Sequence, residues 1–183
     1  MNQNTFAPLI LSALAGVSST AFATQYLSAE QAQQTIFPEA TSFKPVTLQL
    51  SLEQMRQVEK LAGLPARSVA WRVVAVYKDD KLLGHVVFDE VIGKFELISY
   101  AVGLQADASI RQIEIMTYRE SHGMEIKNAN WRKQFAGKNA SSNLAPGDGI
   151  ANISGATLSC SHVTDGVRRI AAIAQIALLP TKK

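Results

Sequence analysis

VAWRVVAVYKDDKLLGHVVFDEV, residues 69–91, places two runs rich in β-branched and apolar residues on either side of the polar KDDK. Such runs form strands, and a connection this short joins strands only as a hairpin. Further along, FELISYAVGL (95–104) is a third run of the same kind, followed by the polar QADAS (105–109). SIRQIEIMTYRE (109–120) makes a fourth, with Ile110, Ile113 and Ile115 as its apolar positions. Strands in succession, joined by short polar turns, predict a largely antiparallel sheet.

Helices flank these strands. Ser28 with Gln31, and Ser51 with Gln54, each have the S-x-x-Q spacing of a capping box; Pro38 stops the first segment, and Gly63 and Pro65 close the second. In the second, Leu52, Met55, Val58 and Leu61 recur at helical spacing. Residues 119–152 are rich in Gly, Asn and Pro and read as loop, with one helical turn around Trp131 to Phe135. HVTDGVRRIAAIAQIALL (162–179) sets Val163, Val167, Ile170, Ala174 and Leu178 on one stripe before Pro180, so it reads as an amphipathic helix. Strands and helices fall in separate blocks, so the class is α+β, a single domain over residues 24–183.

The preceding residues 1–23 carry no charge, hold the apolar LILSALAGV and end in Ala21-Phe22-Ala23, the small-x-small pattern of a secretory signal. The expectation is an exported protein beginning near Thr24, periplasmic or on the outer face of the inner membrane; an uncleaved anchor is the alternative. Cys160 is the only cysteine, so no disulfide, thiolate zinc site or haem attachment can form within the chain. The net charge of +3 comes from scattered basic residues, which gives no reason to expect nucleic acid. The histidines, His85, His122 and His162, have no metal-ligand spacing, so no metal site is expected. No G-x-S-x-G elbow occurs, which leaves hydrolysis without its usual nucleophile turn.

The last helix is preceded by ISGATLSCS, residues 153–161. Small residues that let a ligand approach the backbone, several hydroxyls and a helix N-terminus are what a phosphate dianion needs. Ser154, Gly155, Ala156, Thr157, Leu158 and Ser159 supply them, with Ser161 placed to cap the helix. A serine-rich loop that only caps a helix has the same composition.

SGATLS resembles the flavinylation motif of the FMN-binding domain family, which includes the C subunit of sodium-pumping NADH:quinone reductase and the G subunit of the Rnf electron-transport complex. YRESHGMEIKNANWRKQFAGK (118–138) resembles the family's second signature, E-[ST]-x-G followed by Trp and Q-F-x-G-K, and GKFELISYAVGL (93–104) is similar to the strand that leads into it. The similarity extends over about residues 70–175.

The resemblance implies FMN, joined through its phosphate to the hydroxyl of Thr157 by a flavin transferase that uses FAD. It also implies that Glu120, Ser121, His122 and Gly123 lie along the flavin ring, and it makes Trp131 and Phe135 candidates to cover it. The function implied is electron transfer to a redox partner or membrane respiratory complex, which needs no small-molecule substrate of the protein's own; an FMN-dependent reductase of a small substrate is a third possibility. One position departs from the family's D-x-x-[ST]-G-A-[TS]: the residue three before Ser154 is Ala151, and the nearest acid is Asp148. That departure motivates the alternative, a flavin-free accessory module that kept the fold.

Overall fold

The computed structural model describes residues 26–120 and 123–179. The expected signal over residues 1–23 lies outside the described residues, as do Ser121, His122 and Pro180. Five strands, β1 (Ser42–Gln49), β2 (Ala70–Lys78), β3 (Lys81–Ile92), β4 (Leu97–Gln105) and β5 (Ile110–Thr117), pair in chain order as one antiparallel sheet. The Asp79-Asp80 turn closes the central hairpin, with Asp79 at φ +53° and its N–H bonded to Thr41 Oγ1 at 2.6 Å. Ile110, Ile113 and Ile115 are all buried.

The sequence reading did not anticipate β1. Its segment, SFKPVTLQ, contains Pro45 and has no regular alternation of buried and exposed positions. It pairs only with β2. An edge strand can carry a proline because one row of its backbone groups faces no partner.

Both capping boxes form. Ser28 and Gln31 start α1 (Ala29–Ile36), and Ser51 and Gln54 start α2 (Leu52–Ala62), which ends on Gly63 at φ +65°. Ala32 and Ile36 of α1, with Phe37, pack on Val74, Val76, Val86 and Ala101, forming a small core on one face of the sheet. The larger core, on the other face, joins Val58 and Ala62 of α2 to the long helix that precedes the C-terminus. No helix among the described residues is long and apolar enough to cross a membrane.

The short α3 (Ala129–Arg132) occupies the loop-rich region, and α4 runs from Thr157 to Ile173 before a π turn over Ala174–Leu178. The helix thus begins four residues before Ser161, which lies within it and is not its N-cap. Packing accounts for the difference. Cys160 continues the buried stripe of Val163, Val167 and Ile170 toward the N-terminus, and all four are fully buried. Cys160 is a small hydrophobe, and its burial together with an extra turn of backbone hydrogen bonds outweighs an N-cap worth about 1 kcal/mol. The apolar face therefore decides where the helix starts.

On the face of the sheet that packs against α4, a tyrosine and an aspartate of adjacent strands pair. Tyr100 donates its hydroxyl to Asp89 Oδ2 at 2.6 Å. Burial, reinforced by the Asp89 charge, holds this phenol well above its usual range, so it remains a donor.

Candidate functional site

The ISGATLSCS stretch adopts two conformations. Ile153 to Ala156 form a tight turn, closed by the Ala156 N–H on Ile153 O at 3.0 Å, with Gly155 at φ +82°. A Cβ at Gly155 would meet nothing within 4 Å, so glycine is needed here for its left-handed backbone, and the peptide is left open to a ligand. From Thr157 onward the chain is helical. Its N-cap, Ala156, supplies no side-chain acceptor. The helical bonding begins with the Cys160 N–H on Ala156 O at 2.9 Å, which leaves the N–H groups of Thr157, Leu158 and Ser159 without an acceptor in the helix. These groups carry the positive end of a 17-residue helix, where an anion is stabilised.

The second wall of the site is the turn between β3 and β4. The Gly93 N–H bonds Glu96 O at 2.8 Å, and Glu120, just past β5, accepts from the N–H groups of Phe95 (2.6 Å) and Glu96 (3.0 Å) with a single carboxylate oxygen. A Cβ on Gly93 would approach Glu120 Oε1 to 2.5 Å and Ser159 Oγ to 3.1 Å, so glycine lets the turn close onto both. Behind this contact, Tyr118 Oη lies 3.4 Å from Ser159 Oγ. Gly123, at φ +85°, packs on Ala156 and Tyr118, where a Cβ would come within 2.5 and 2.6 Å of them.

Between the two walls is a cleft of ≈ 280 Å³ lined by Lys94, Phe95, Glu120 and the backbone and side chains of Gly155 to Ser159. Thr157 and Ser154 are exposed, whereas Ser159 is only 4% exposed. A larger hollow of ≈ 470 Å³ lies on the α1 face of the sheet. Glu90 there accepts from the Ser99 hydroxyl at 2.7 Å and Arg72 lies over the Phe88 ring at 4.6 Å, and the helix that starts at its edge, α1, has its N-terminus closed by the Ser28–Gln31 capping box. The smaller cleft has the chemistry for an anionic ligand.

Burial alone would raise the Glu120 carboxyl, but the N–H groups of Glu96, Phe95 and Lys94, together with the Lys94 charge, outweigh it and hold the group below its ordinary value of 4.5. A carboxylate with a lowered folded-state pKa stabilises above its unfolded value, and that contribution disappears as the pH falls through the folded value. The Phe95 and Glu96 amides should therefore be protected from hydrogen exchange at neutral pH and lose protection as the pH falls through the lowered carboxyl value. Glu120→Ala should cost those two amides about tenfold or more in protection at pH 7, since hydrogen bonds to a charged acceptor are among the stronger ones. Unchanged protection in that variant would show that the turn is held by other contacts.

Residues 93–172 match the family model described as FMN-binding domain. This part of the chain is an FMN-binding domain. The match starts at Gly93, in the turn that forms one wall of the cleft, and runs nearly to the end of α4, which forms the other. It is narrower than the span of about 70–175 expected from the motifs. Among solved structures, that of Shewanella oneidensis NqrC has a similar fold, with a TM-score of 0.53 and 17% identity over 78% of this chain and 85% of that one. No curated protein sequence matches the chain.

FMN is the cofactor of this domain, and the cleft residues fit it. Its phosphate is a dianion, for which the uncapped start of α4 offers donors, and its ring is a flat apolar surface, for which Phe95 and Leu158 offer apolar walls.

Of the expected site residues of the FMN-binding domain, Gly155, Ala156, Thr157, Leu158, Ser159 and Glu120 line the cleft. Ser154 is exposed in the adjoining turn, and Gly123 backs Ala156. Ser121 and His122 lie outside the described residues. Trp131 and Phe135 are not brought to the cleft: both are buried in the larger core, ring against ring at 5.2 Å and 74°. Both are placed there by the loop they organise. The Trp131 indole N–H bonds Ala151 O at 2.7 Å, and Gln134 Oε1 accepts from the Ala151 N–H at 2.8 Å. The W-x-x-Q-F element thus holds the peptide that leads into SGATLS.

Sequence reasoning missed Lys94, Phe95 and Tyr118. The run FELISYAVGL puts Phe95 in the third expected strand, whereas β4 begins at Leu97 and leaves Lys94 and Phe95 in the turn before it. His162 ties α4 to the end of β3 through Nδ1 and Ile92 O at 2.5 Å, and the buried Cys160 thiol is pushed up by burial, as in an inert core cysteine. No group of three or more His, Cys, Asp or Glu placed to hold a metal occurs among the described residues.

Proposed function

We propose that the protein is an exported electron-transfer flavoprotein whose FMN is held by its phosphate at the start of α4, with Thr157 as the ester acceptor. The observation that carries this reading is the exposed Thr157 at the uncapped N-terminus of a long helix, inside the cleft of an FMN-binding domain. The free N–H groups of Thr157, Leu158 and Ser159 offset the phosphate charge, and Gly155 lets the backbone approach it. When bound, FMN supplies the redox chemistry; the protein binds it, orients it and controls its contact with water.

Attachment by a flavin transferase would form the bond from Thr157 Oγ to phosphorus and release AMP from FAD. At ≈ 280 Å³ the cleft is just below the ~300–1,000 Å³ usual for small-molecule sites. A flavin seated there keeps an edge in solvent, which favours exchange of electrons with a protein partner over conversion of an enclosed substrate. The similarity to NqrC supports a partner in a membrane redox complex, and the signal-like residues 1–23 support a position on the outer face of the inner membrane.

The test is the intact mass and visible spectrum of the mature protein co-expressed with a flavin transferase. A gain of one FMN less water, with the flavin band retained after denaturation, is expected. A colourless protein of unmodified mass would favour the second reading, a flavin-free module, which the alanine at position 151 motivates.

A further inference from the structure

We propose that the β3–β4 turn is the platform for the flavin ring, with Phe95 as the stacking face and Lys94 as the charge that favours the reduced ring. This rests on the reading above, that FMN occupies the cleft, and it assigns the wall across from the phosphate site.

Phe95 is 74% exposed. An exposed apolar side chain is ordinary by itself; what distinguishes this one is how firmly its backbone is held. The turn is closed by the Gly93 N–H on Glu96 O, and it is latched from outside by Glu120, which takes the N–H groups of both Phe95 and Glu96. Gly93 is pressed against Glu120, Ile98 and Ser159 so closely that no side chain fits. An exposed aromatic on an immobilised turn loses little freedom when a flat ring settles on it. Leu158, 49% exposed on the helix side of the same cleft, gives that ring a second apolar neighbour.

Lys94 Nζ lies 4.9 Å from the centroid of the Phe95 ring, over one face of it. A cation held this way is attracted by the ring's π face and leaves the opposite face for a second stacking partner. Reduction of FMN by two electrons and one proton, which dithionite and the buffer supply in a titration, leaves one additional negative charge on the flavin ring. An ammonium group about 8 Å away, across the Phe95 ring, still lowers the energy of that charged form more than that of the neutral oxidised ring. Lys94 thus raises the reduction potential, and Phe95 contributes affinity to both forms.

The experiment uses the mature protein purified without a transferase and titrated with FMN, followed by flavin absorbance, visible circular dichroism and a potentiometric titration with dithionite. Phe95→Ala should weaken FMN about tenfold and diminish the induced dichroism, as loss of one stacked aromatic does, while Phe95→Tyr keeps both. Lys94→Ala should lower the affinity for reduced relative to oxidised FMN about fivefold, a fall of about 20 mV at ~30 mV per tenfold for a two-electron couple, with Lys94→Arg near wild type.

If wild type binds FMN and Phe95→Ala binds it equally with the same dichroism, the platform is wrong and the phosphate site stands. If the potential is unmoved in Lys94→Ala, the charge role is wrong. If wild type binds no FMN here and gains none on co-expression with a flavin transferase, the reading on which both rest falls with them; if it loads only with the transferase, the dichroism and potential of the loaded variants decide the two roles in the same way.

Discussion

Thr157→Ala, co-expressed with a flavin transferase, is expected to show no covalent FMN at all in its intact mass, where wild type carries one. The effect should be complete because an ester needs a hydroxyl, and the neighbouring hydroxyls are not equivalent to this one. Ser159 is buried against Gly93 and Tyr118, and Ser161 sits a turn further into the helix. Ser154 is exposed but belongs to the turn before the helix. Thr157→Ser should keep the adduct. The substitution should leave folding nearly unchanged, within about 0.5 kcal/mol, because the side chain is exposed and alanine suits the first turn of a helix. A covalent flavin that survives in Thr157→Ala would move the acceptor elsewhere. A flavin that is present but washes out on denaturation would mean that the phosphate site binds without the ester.

The largest effect on stability should come from a residue remote from the cleft. Gly166 lies in the middle of α4, where glycine ordinarily costs a helix about 1 kcal/mol relative to alanine. Here the preference is reversed. A Cβ at this position would fall on the Tyr100 hydroxyl, with the ring carbon Cζ at 2.9 Å and Asp89 Oδ2 at 3.4 Å. The tyrosine has no way to give, because it is fully buried and bonded to Asp89.

Gly166→Ala should therefore destabilise by about 3 kcal/mol, at the upper end of overpacking costs, measured as a fall in the urea midpoint. Tyr100→Phe removes the obstructing oxygen and by itself should cost about 1–2 kcal/mol, because Asp89 loses its hydrogen-bond donor and keeps only the Arg67 guanidinium at 3.9 Å. The double variant should be more stable than the sum of the two, by about 1 kcal/mol or more of coupling. Simple additivity would mean that the helix shifts to relieve the clash instead of pressing on the ring.

How much of this was legible in the chain depends on where the controlling contacts lie. The four strands from Val69 to Glu120 could be read because their apolar runs and polar turns are local signals, and the two capping boxes are local in the same way. β1 could not, because Pro45 and an irregular burial pattern disguise a strand whose only support is its neighbour. The start of α4 was misplaced because hydroxyls attract a capping interpretation, while the burial of Cys160 that extends the helix is tertiary.

The candidate site divides along the same line. Its phosphate half is one continuous stretch, SGATLS, and carries its own signature. Its other half is assembled by closure of the 93–96 turn onto Glu120, two segments about 25 residues apart, which no local pattern records. Trp131 and Phe135 show the converse, since a signature element can mark a structural strut as readily as a ligand contact.

That strut separates two kinds of information in one short loop. Trp131 and Gln134 grip the carbonyl and N–H of residue 151 and leave its side chain in solvent. The path of the chain into the helix is therefore written by the backbone, and any label read by a maturing enzyme is written by a side chain that the fold does not consult. An aspartate installed at that position should fold as the alanine does. Under the proposed loading at Thr157, the recognition residue at this position could therefore be gained or lost in one codon, with the cradle for the cofactor left intact.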